Sequence, residues 1–376
     1  MVKHQFKAKR TLDGLKALAA NGYAIFIDDN GYDSHKIISI GADGSVHRFK
    51  LNSLVKTGTQ NVLRDHDGNI ISAYEIGGQL YTCNESLGRD SQSLLDNYQY
   101  SNENLALFSH CVQRSKMWDK KLIIATTLPV KRMEVDGNKQ KVIAQFKTPV
   151  VRAGKSEPLQ IASHMVVAEG HAAFYEWAIN YDGSVLQEAA EAETILVVDI
   201  GGGTIDLVTM TSAGQLNVSV DEARCFTFEG FGLVSLKDEL AKLIQFKLKV
   251  ELPEDYKAAA NNISQRTVDA AFDTGFISFP MLNKPIDISE EVSRLKGDWV
   301  AKLLRLIVEN VDRLDGYNKI LIAGGGAVAL EQEIDTRLPG CVYLDEYANV
   351  NGLAKLMACI LINRLKESVL VAEGVS

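Results

Sequence analysis

The stretch ILVVDIGGGTIDLVTM, residues 195–210, constrains the chain more than any other. Residues 195–200 and 205–210 are short and rich in β-branched side chains, the pattern of buried strands, and Gly201-Gly202-Gly203-Thr204 is the turn between them. In most sequences a glycine-rich turn of this kind marks only a plain hairpin. Here Asp199 ends one strand and Asp206 sits inside the other, and a buried carboxylate is costly unless something pairs with it. A metal ion or a magnesium-bound phosphate would do so.

A second stretch, YAIFIDDNGYDSHKIISIGADGSV, repeats the design. An apolar strand over residues 23–27 leads through a predicted turn at Asp28-Asp29-Asn30-Gly31 into a second strand over 36–40. Two acidic, glycine-bearing hairpins about 170 residues apart, each able to head a domain of ordinary size, imply two similar halves facing one another. A phosphate chain fits between them. Glycine lets the backbone approach a phosphate closely, and the N–H groups of such turns form an anion-binding nest. Nearby aspartates would hold Mg²⁺ through its waters, since that ion gives up its hydration shell reluctantly. Lys36 is placed to reach a phosphate oxygen. The P-loop alternative fails, because Gly154-Lys155-Ser156 is preceded by Pro149 where the first glycine belongs.

Composition narrows the class. At 376 residues, with 46% hydrophobic and 23% charged side chains, the chain suits one large or two ordinary soluble domains. A formal net charge of −8 argues against direct nucleic-acid binding, which needs clustered Lys and Arg. Five scattered cysteines without a CxxC pair suggest neither a disulfide framework nor a zinc site, and a reducing cytoplasm is expected. The start of the chain lacks the apolar core of a signal peptide, and no later segment has the apolar length of a membrane span, so a membrane partner is not expected. The first 21 residues are basic, and Leu12, Leu15 and Leu18 can line one side of a short helix there. His164 and His171 have no metal-ligand spacing and read as packed or solvated side chains. Residues 229–244, EGFGLVSLKDELAKLI, read as an amphipathic helix with Leu233, Leu236, Leu240 and Leu243 inward, and its Gly-rich start or Lys237 is expected to border a nucleoside site.

Residues 29–36, DNGYDSHK, resemble the first phosphate motif of the actin superfamily, and residues 199–206, DIGGGTID, resemble the second. ILIAGGGAVAL is similar to the superfamily's adenosine motif, a strand running into Gly324-Gly325-Gly326-Ala327 and a helix. VVAEGHAAF and YANVNGLAKLM resemble its two connecting segments, and LIIATTLPVKRM, IGGQLYTCNES and NYQYSNENLALFSH resemble stretches of the bacterial plasmid-partition actins, the ParM/StbA group. The likeness covers roughly residues 22–365. It departs at Tyr32, where small hydroxyl residues are common, and across residues 250–285.

The resemblance implies an α/β actin-like ATPase fold: two lobes of mixed sheets flanked by helices, with a nucleotide cleft between them. Domain I is expected over 22–194 with a smaller subdomain near 50–120, domain II over 195–347, and a C-terminal helix over 348–376 returning to domain I. It implies ATP or ADP with Mg²⁺ as cofactors. Asp29, Asn30, Gly31, Tyr32, Lys36, Gly201, Gly202, Gly203, Thr204, Gly324, Gly325, Gly326 and Ala327 would bind nucleotide. Asp29 and Asp199 would hold the metal through water, and Glu169 would orient the attacking water. The implied function is a filament-forming ATPase, self-associating head to tail and segregating plasmid or similar DNA through a ParR-type adaptor. An actin-fold small-molecule kinase is the alternative. A heat-shock-type chaperone would need a peptide-binding domain for which the chain has no room.

Overall fold

The computed structural model describes residues 5–58, 62–68, 70–84, 98–212, 218–311 and 313–372. Lys3 and His4 of the basic leader, and parts of the two stretches that flank residues 85–97, lie outside the described residues.

Two sheets built on one plan carry the site. In the first lobe β1 (Tyr23–Asn30), β2 (Ser34–Ile40) and β3 (Val46–Asn52) form an antiparallel meander. β7 (Lys121–Leu128) and then β9 (Gln160–Ala168) add in parallel on the β1 edge, giving the order β3-β2-β1-β7-β9. In the second lobe β10 (Thr194–Ile200), β11 (Thr204–Ser212) and β12 (Val218–Val220) form the meander, and β16 (Lys319–Ala323) and β17 (Val342–Tyr343) add in parallel. The order is β12-β11-β10-β16-β17, with β13 (Phe226–Glu229) also paired to β11. Strands with near-continuous Ile, Val and Leu are what a sheet covered on both faces requires.

A smaller sheet of β4 (Val55–Thr57), β6 (Gln79–Cys83), β5 (Ala73–Ile76) and β8 (Val150–Arg152) packs against α2 (Asn102–Arg114). Its last strand returns from beyond β7, so the small subdomain closes with residues outside the 50–120 segment. α3 (Val130–Glu134) and α4 (Asn138–Gln145) connect β7 to β8. After β9, α5 (His171–Ala178) and α6 (Gln187–Glu191) lead into the second lobe. There α7 (Leu233–Glu251), α8 (Gln265–Thr274) and α9 (Ser289–Val311) build one large apolar core with the sheet, beside the short strands β14 (Phe276–Ile277) and β15 (Ile286–Asp287). α10 (Gly325–Ala329) and α11 (Glu331–Asp335) follow β16. α12 (Ala348–Ala372) returns to the first lobe and packs on α5, β1 and β2.

The leader is part of this layer. α1 (Lys9–Ala20) lies on α12 and β1, with Leu15 buried and Leu12 and Leu18 half-buried on its inner side. Phe6 is buried against Tyr181, their rings 5.2 Å apart.

Two details differ from the sequence reading. Asp28, Asp29 and Asn30 lie in β1 rather than in the turn, because pairing continues through Asp28 with Ile37, Asp29 with Lys36 and Asn30 with His35. The basic partners His35 and Lys36 on β2 are what let carboxylates remain in the strand. The inward stripe of α7 is Leu236, Leu240, Ile244 and Leu248, with Leu233 and Leu243 at its margin. The helix starts only after Gly232, since Leu233 and Val234 donate their N–H groups to the carbonyls of Gly201 and Gly202.

Candidate nucleotide and metal cleft

The shared plan brings equivalent positions face to face. Asp29 stands opposite Lys36 across the β1–β2 ladder, and Asp199 stands opposite Asp206 across β10–β11. Both hairpin turns end at one cleft of about 930 Å³, open mouth included, lined by Asp29, Gly31, Tyr32, Lys36, Glu169, Asp199, Gly201, Gly202, Gly203, Thr204 and Gly325 among others.

The glycines of the second turn are there for space. A Cβ on Gly202 would fall 2.6 Å from the Asp33 Cβ, and one on Gly203 would fall 3.3 Å from the Tyr32 ring, so the two turns meet with no room for side chains. The carbonyls of Gly201 and Gly202 are held by the start of α7, and that of Gly203 by Gly230 N–H. A trans peptide points its N–H opposite its carbonyl, so the following N–H groups face away from those partners, as an anion-binding turn needs. The third glycine cluster works differently. Gly324 has φ +85°, and a Cβ there would sit 2.5 Å from Asp199 Oδ1; at Gly326 it would sit 2.1 Å from Ile200 Cγ2. These two glycines let β16 and α10 press on β10, Ala327 is in the core, and Gly325 and Ala329 of this motif line the cleft.

The acidic groups are individually anchored. Asp29 accepts from Thr127 Oγ1 at 2.7 Å and from Lys36 Nζ at 3.2 Å; Thr127 Oγ1 also lies 3.5 Å from Asn30 Oδ1. Burial works against the Lys36 charge, but Asp29 and Asp199 hold its pKa above the usual lysine range. Asp199 accepts from Asn349 Nδ2 at 2.7 Å, and burial, reinforced by the Asp29 charge, pushes it up to about 6. Asp206 accepts from Val130 N–H at 3.1 Å, Thr227 Oγ1 at 2.5 Å and Thr204 Oγ1 at 3.3 Å, and burial pushes it up to about 7. Its bond to Val130 crosses from one lobe to the other.

Glu169 sits between β9 and α5. A Cβ on the next residue, Gly170, would fall 2.6 Å from Val208 Cγ2, so the chain there runs close over β11 and delivers Glu169 to the cleft. Burial first, then the charges of Asp206, Asp29 and Asp199, raise the Glu169 pKa well above the ordinary carboxylate range. Tyr32 is fixed against the small subdomain, its ring 5.5 Å from that of Tyr98 and its hydroxyl donating to Gln99 at 3.4 Å. Behind it, Asp28 and Tyr98 bracket the buried His35 at 2.8 and 2.7 Å.

Sequence reasoning missed several residues of the cleft. Lys50, Glu346, Phe272 and Asp273 line it without belonging to a recognisable motif, and Asn349 lies in the YANVNGLAKLM segment without standing out there. Asp206 was conspicuous as a charge in a strand, yet its inter-lobe bond has no signature in the sequence. Lys50 pairs with Glu346 at 2.7 Å, and Lys237, which also lines the cleft, pairs with Asp269 at 2.7 Å. Six carboxyl groups (Asp29, Asp33, Glu169, Asp199, Asp273, Glu346) thus face three lysines (Lys36, Lys50, Lys237) across the cavity. A polyphosphate entering that field needs a divalent cation with it, and a donor set of hard oxygens suits Mg²⁺.

Two lobes of like topology, joined through α5 and α12 around an acidic, glycine-lined cleft, define an actin-like fold. Residues 197–336 match the family described as archaeal actin homologue MreB-like, C-terminal. Among solved structures it is similar to the actin-like protein Alp7A, at 14% identity and TM-score 0.68 over 94% of this chain and 100% of that one. It is similar to the subunit of a 15-stranded ParM filament from Clostridium botulinum, at 17% identity and TM-score 0.64 over 90% and 99%. It is also similar to Ta0583, an archaeal actin homologue in complex with ADP, at 15% identity and TM-score 0.64 over 87% and 97%. No protein of curated function matches it by sequence. Its fold is ParM-like. No helix among the described residues is long and apolar enough to cross a membrane.

Proposed function

We propose that the chain binds ATP with Mg²⁺ between its two acidic hairpins, hydrolyses it, and uses the cycle to assemble and disassemble head-to-tail filaments. The observation that carries this reading is the convergence of Asp29, Lys36, Glu169 and Asp199 with two glycine turns on one cleft. Asp29 and Asp199 would hold Mg²⁺ through its waters. The ion supplies charge neutralisation for the phosphates. The turn N–H groups at Gly202 to Thr204 bind phosphate oxygens, Gly31 leaves room for the phosphate beside the first hairpin, Lys36 adds a positive charge, and Gly325 borders the nucleoside. Glu169 accepts a hydrogen bond from the attacking water and takes up its proton, a role for which a carboxyl with a raised pKa is suited. Phosphoryl transfer asks for positioning and charge stabilisation more than for a covalent step.

Assembly is supported by likeness to a ParM filament subunit and to an ADP-bound actin homologue. Segregation of plasmid or similar DNA through a ParR-type adaptor in the cytoplasm is the biological setting that suits a ParM-like chain. A net charge of −8 favours an adaptor over direct contact with DNA. Phosphate release from ATP by the purified protein, with Mg²⁺ and with EDTA, tests the site. Asp199→Ala should abolish the Mg²⁺-dependent rate, and an unmodified protein that releases no phosphate under either condition would overturn the reading.

A further inference from the structure

The proposed cleft needs its two critical acids, Glu169 and Asp199, held at fixed spacing, although they belong to different lobes. The Gly170 N–H faces the Asp199 carboxylate directly, and one side chain bridges the two as well. Asn349, on the first turn of α12, is 6% exposed. Its Nδ2 donates to Asp199 Oδ2 at 2.7 Å, and its Oδ1 accepts the N–H of Gly170, the residue after Glu169, at 3.2 Å. We infer that Asn349 is a positioning residue that ties Asp199 of the second lobe to the Glu169 turn of the first, and so sets how strongly the cleft takes a magnesium-bound nucleotide.

A carboxamide offers a donor and an acceptor from one rigid plane, which neither an aspartate nor an alanine does. Asn349 itself cannot swing away, because the helix that carries it is fixed. A Cβ on Gly352 would lie 1.7 Å from the carbonyl oxygen of Ala172, so α12 and α5 are in backbone contact one turn further on. Lys355 Nζ then bonds to the Glu176 carbonyl at 2.7 Å and to its carboxylate at 2.7 Å. Tyr347 and Ala348, which precede Asn349, are held by Asp345. Asn349 therefore transmits the seating of α12 on α5 to the carboxylate of Asp199. A buried asparagine with both ends satisfied is also an ordinary structural feature, and the test must separate the two.

The inference rests on the proposed nucleotide site, and the measurement is ADP affinity by calorimetry, in Mg²⁺ and in EDTA. The ratio of the two dissociation constants is the magnesium enhancement. Groups that orient a metal's ligands are worth about 10- to 100-fold in metal affinity. Asn349→Ala should therefore lose roughly 10-fold or more of the enhancement, with affinity in EDTA nearly unchanged. Asn349→Ser, too short to span both partners, should show the same loss and serves if the alanine variant does not fold. Asn351→Ala is the matched control, since it removes a bond to Tyr181 from the same helix, 3.1 Å long, and does not touch the acids. It should lower the melting temperature and leave the enhancement intact. Full enhancement in Asn349→Ala or Asn349→Ser, or an equal loss in Asn351→Ala, would overturn the inference while ADP still binds. An unmodified protein that binds no ADP would remove the nucleotide site and the inference together.

Discussion

Glu169 is where binding and chemistry should come apart. It stands among Asp206, Asp29 and Asp199, so removing it relieves repulsion toward an anionic nucleotide. Glu169→Ala should slow ATP hydrolysis by about 10²- to 10⁴-fold, the usual worth of a positioned acid–base group, while MgATP affinity holds or rises. Phosphate release and equilibrium binding on the same preparation check this, and an unchanged rate would remove Glu169 from the mechanism. His164 supports a prediction of another kind. Packed 4.7 Å from the Phe146 ring and 2.9 Å from Thr126 Oγ1, it is pulled down by burial to about 3. A histidine whose pKa is lower when folded binds fewer protons in the native state. Its contribution to stability is complete above about 6.5 and is lost as pH falls toward its folded value. His110 and His171, both pulled down to about 4 by burial, act in the same direction. Asp199 and Asp206 act oppositely, their contribution being lost as pH rises through about 6 and about 7. Comparing variant with unmodified protein cancels that background. Melting temperatures between pH 7 and pH 4 should fall less steeply for His164→Gln, and parallel curves would refute the assignment. At this scale the sequence displays residues that act in clusters with glycine turns, such as Asp29 and Asp199. Asn349 stays hidden because it acts as one side chain whose partners are 179 and 150 positions away.

The packed helices α5 and α12 cross at Gly352, where the space for a Cβ is already taken by the Ala172 carbonyl. Backbone cannot yield as a flexible side chain does, so Gly352→Ala must push the helices apart. The expected cost is about 1–3 kcal/mol, the usual range for overpacking, read as a lower urea midpoint at unchanged slope. A midpoint equal to that of the unmodified protein would mean that the crossing is looser than its geometry. Both hairpins were legible as elements because β-branched runs flanking glycine turns have few other solutions. Their limits were less so. β1 extends through Asp28 and Asp29, since on the facing strand His35 hydrogen-bonds Asp28 and Lys36 pairs with Asp29, partners that a single-strand reading does not see. The start of α7 was misplaced because it is fixed by carbonyls of the Gly201–Gly202 turn, a tertiary contact with no local sequence signal.

At the scale of the molecule, the two lobes repeat one strand order with different surroundings, and ion pairs bridge them on both sides of the cleft. Lys50 meets Glu346 at 2.7 Å and Arg48 meets Asp345 at 3.3 Å on one side, and Arg132 meets Glu229 at 2.8 Å on the other. Such partly exposed pairs are individually worth little, so the relative setting of the lobes is open to control by whatever occupies the cleft. A terminal phosphate touching both turns would favour closure, and its loss would weaken that state. A ligand can shift such an equilibrium only by its differential affinity for the two settings. A chain with unlike ends joins its copies through heterologous contacts, which give open filaments when the rotation does not close a ring. With a slowly hydrolysed ATP analogue and Mg²⁺, the protein should therefore form filaments above a critical concentration. With ADP it should form far fewer at the same concentration, and Asp199→Ala should form few with either. Sedimentation and negative-stain electron microscopy should agree across a range of salt. A protein that binds the analogue yet stays monomeric throughout that range would leave the nucleotide site standing and remove assembly from its function.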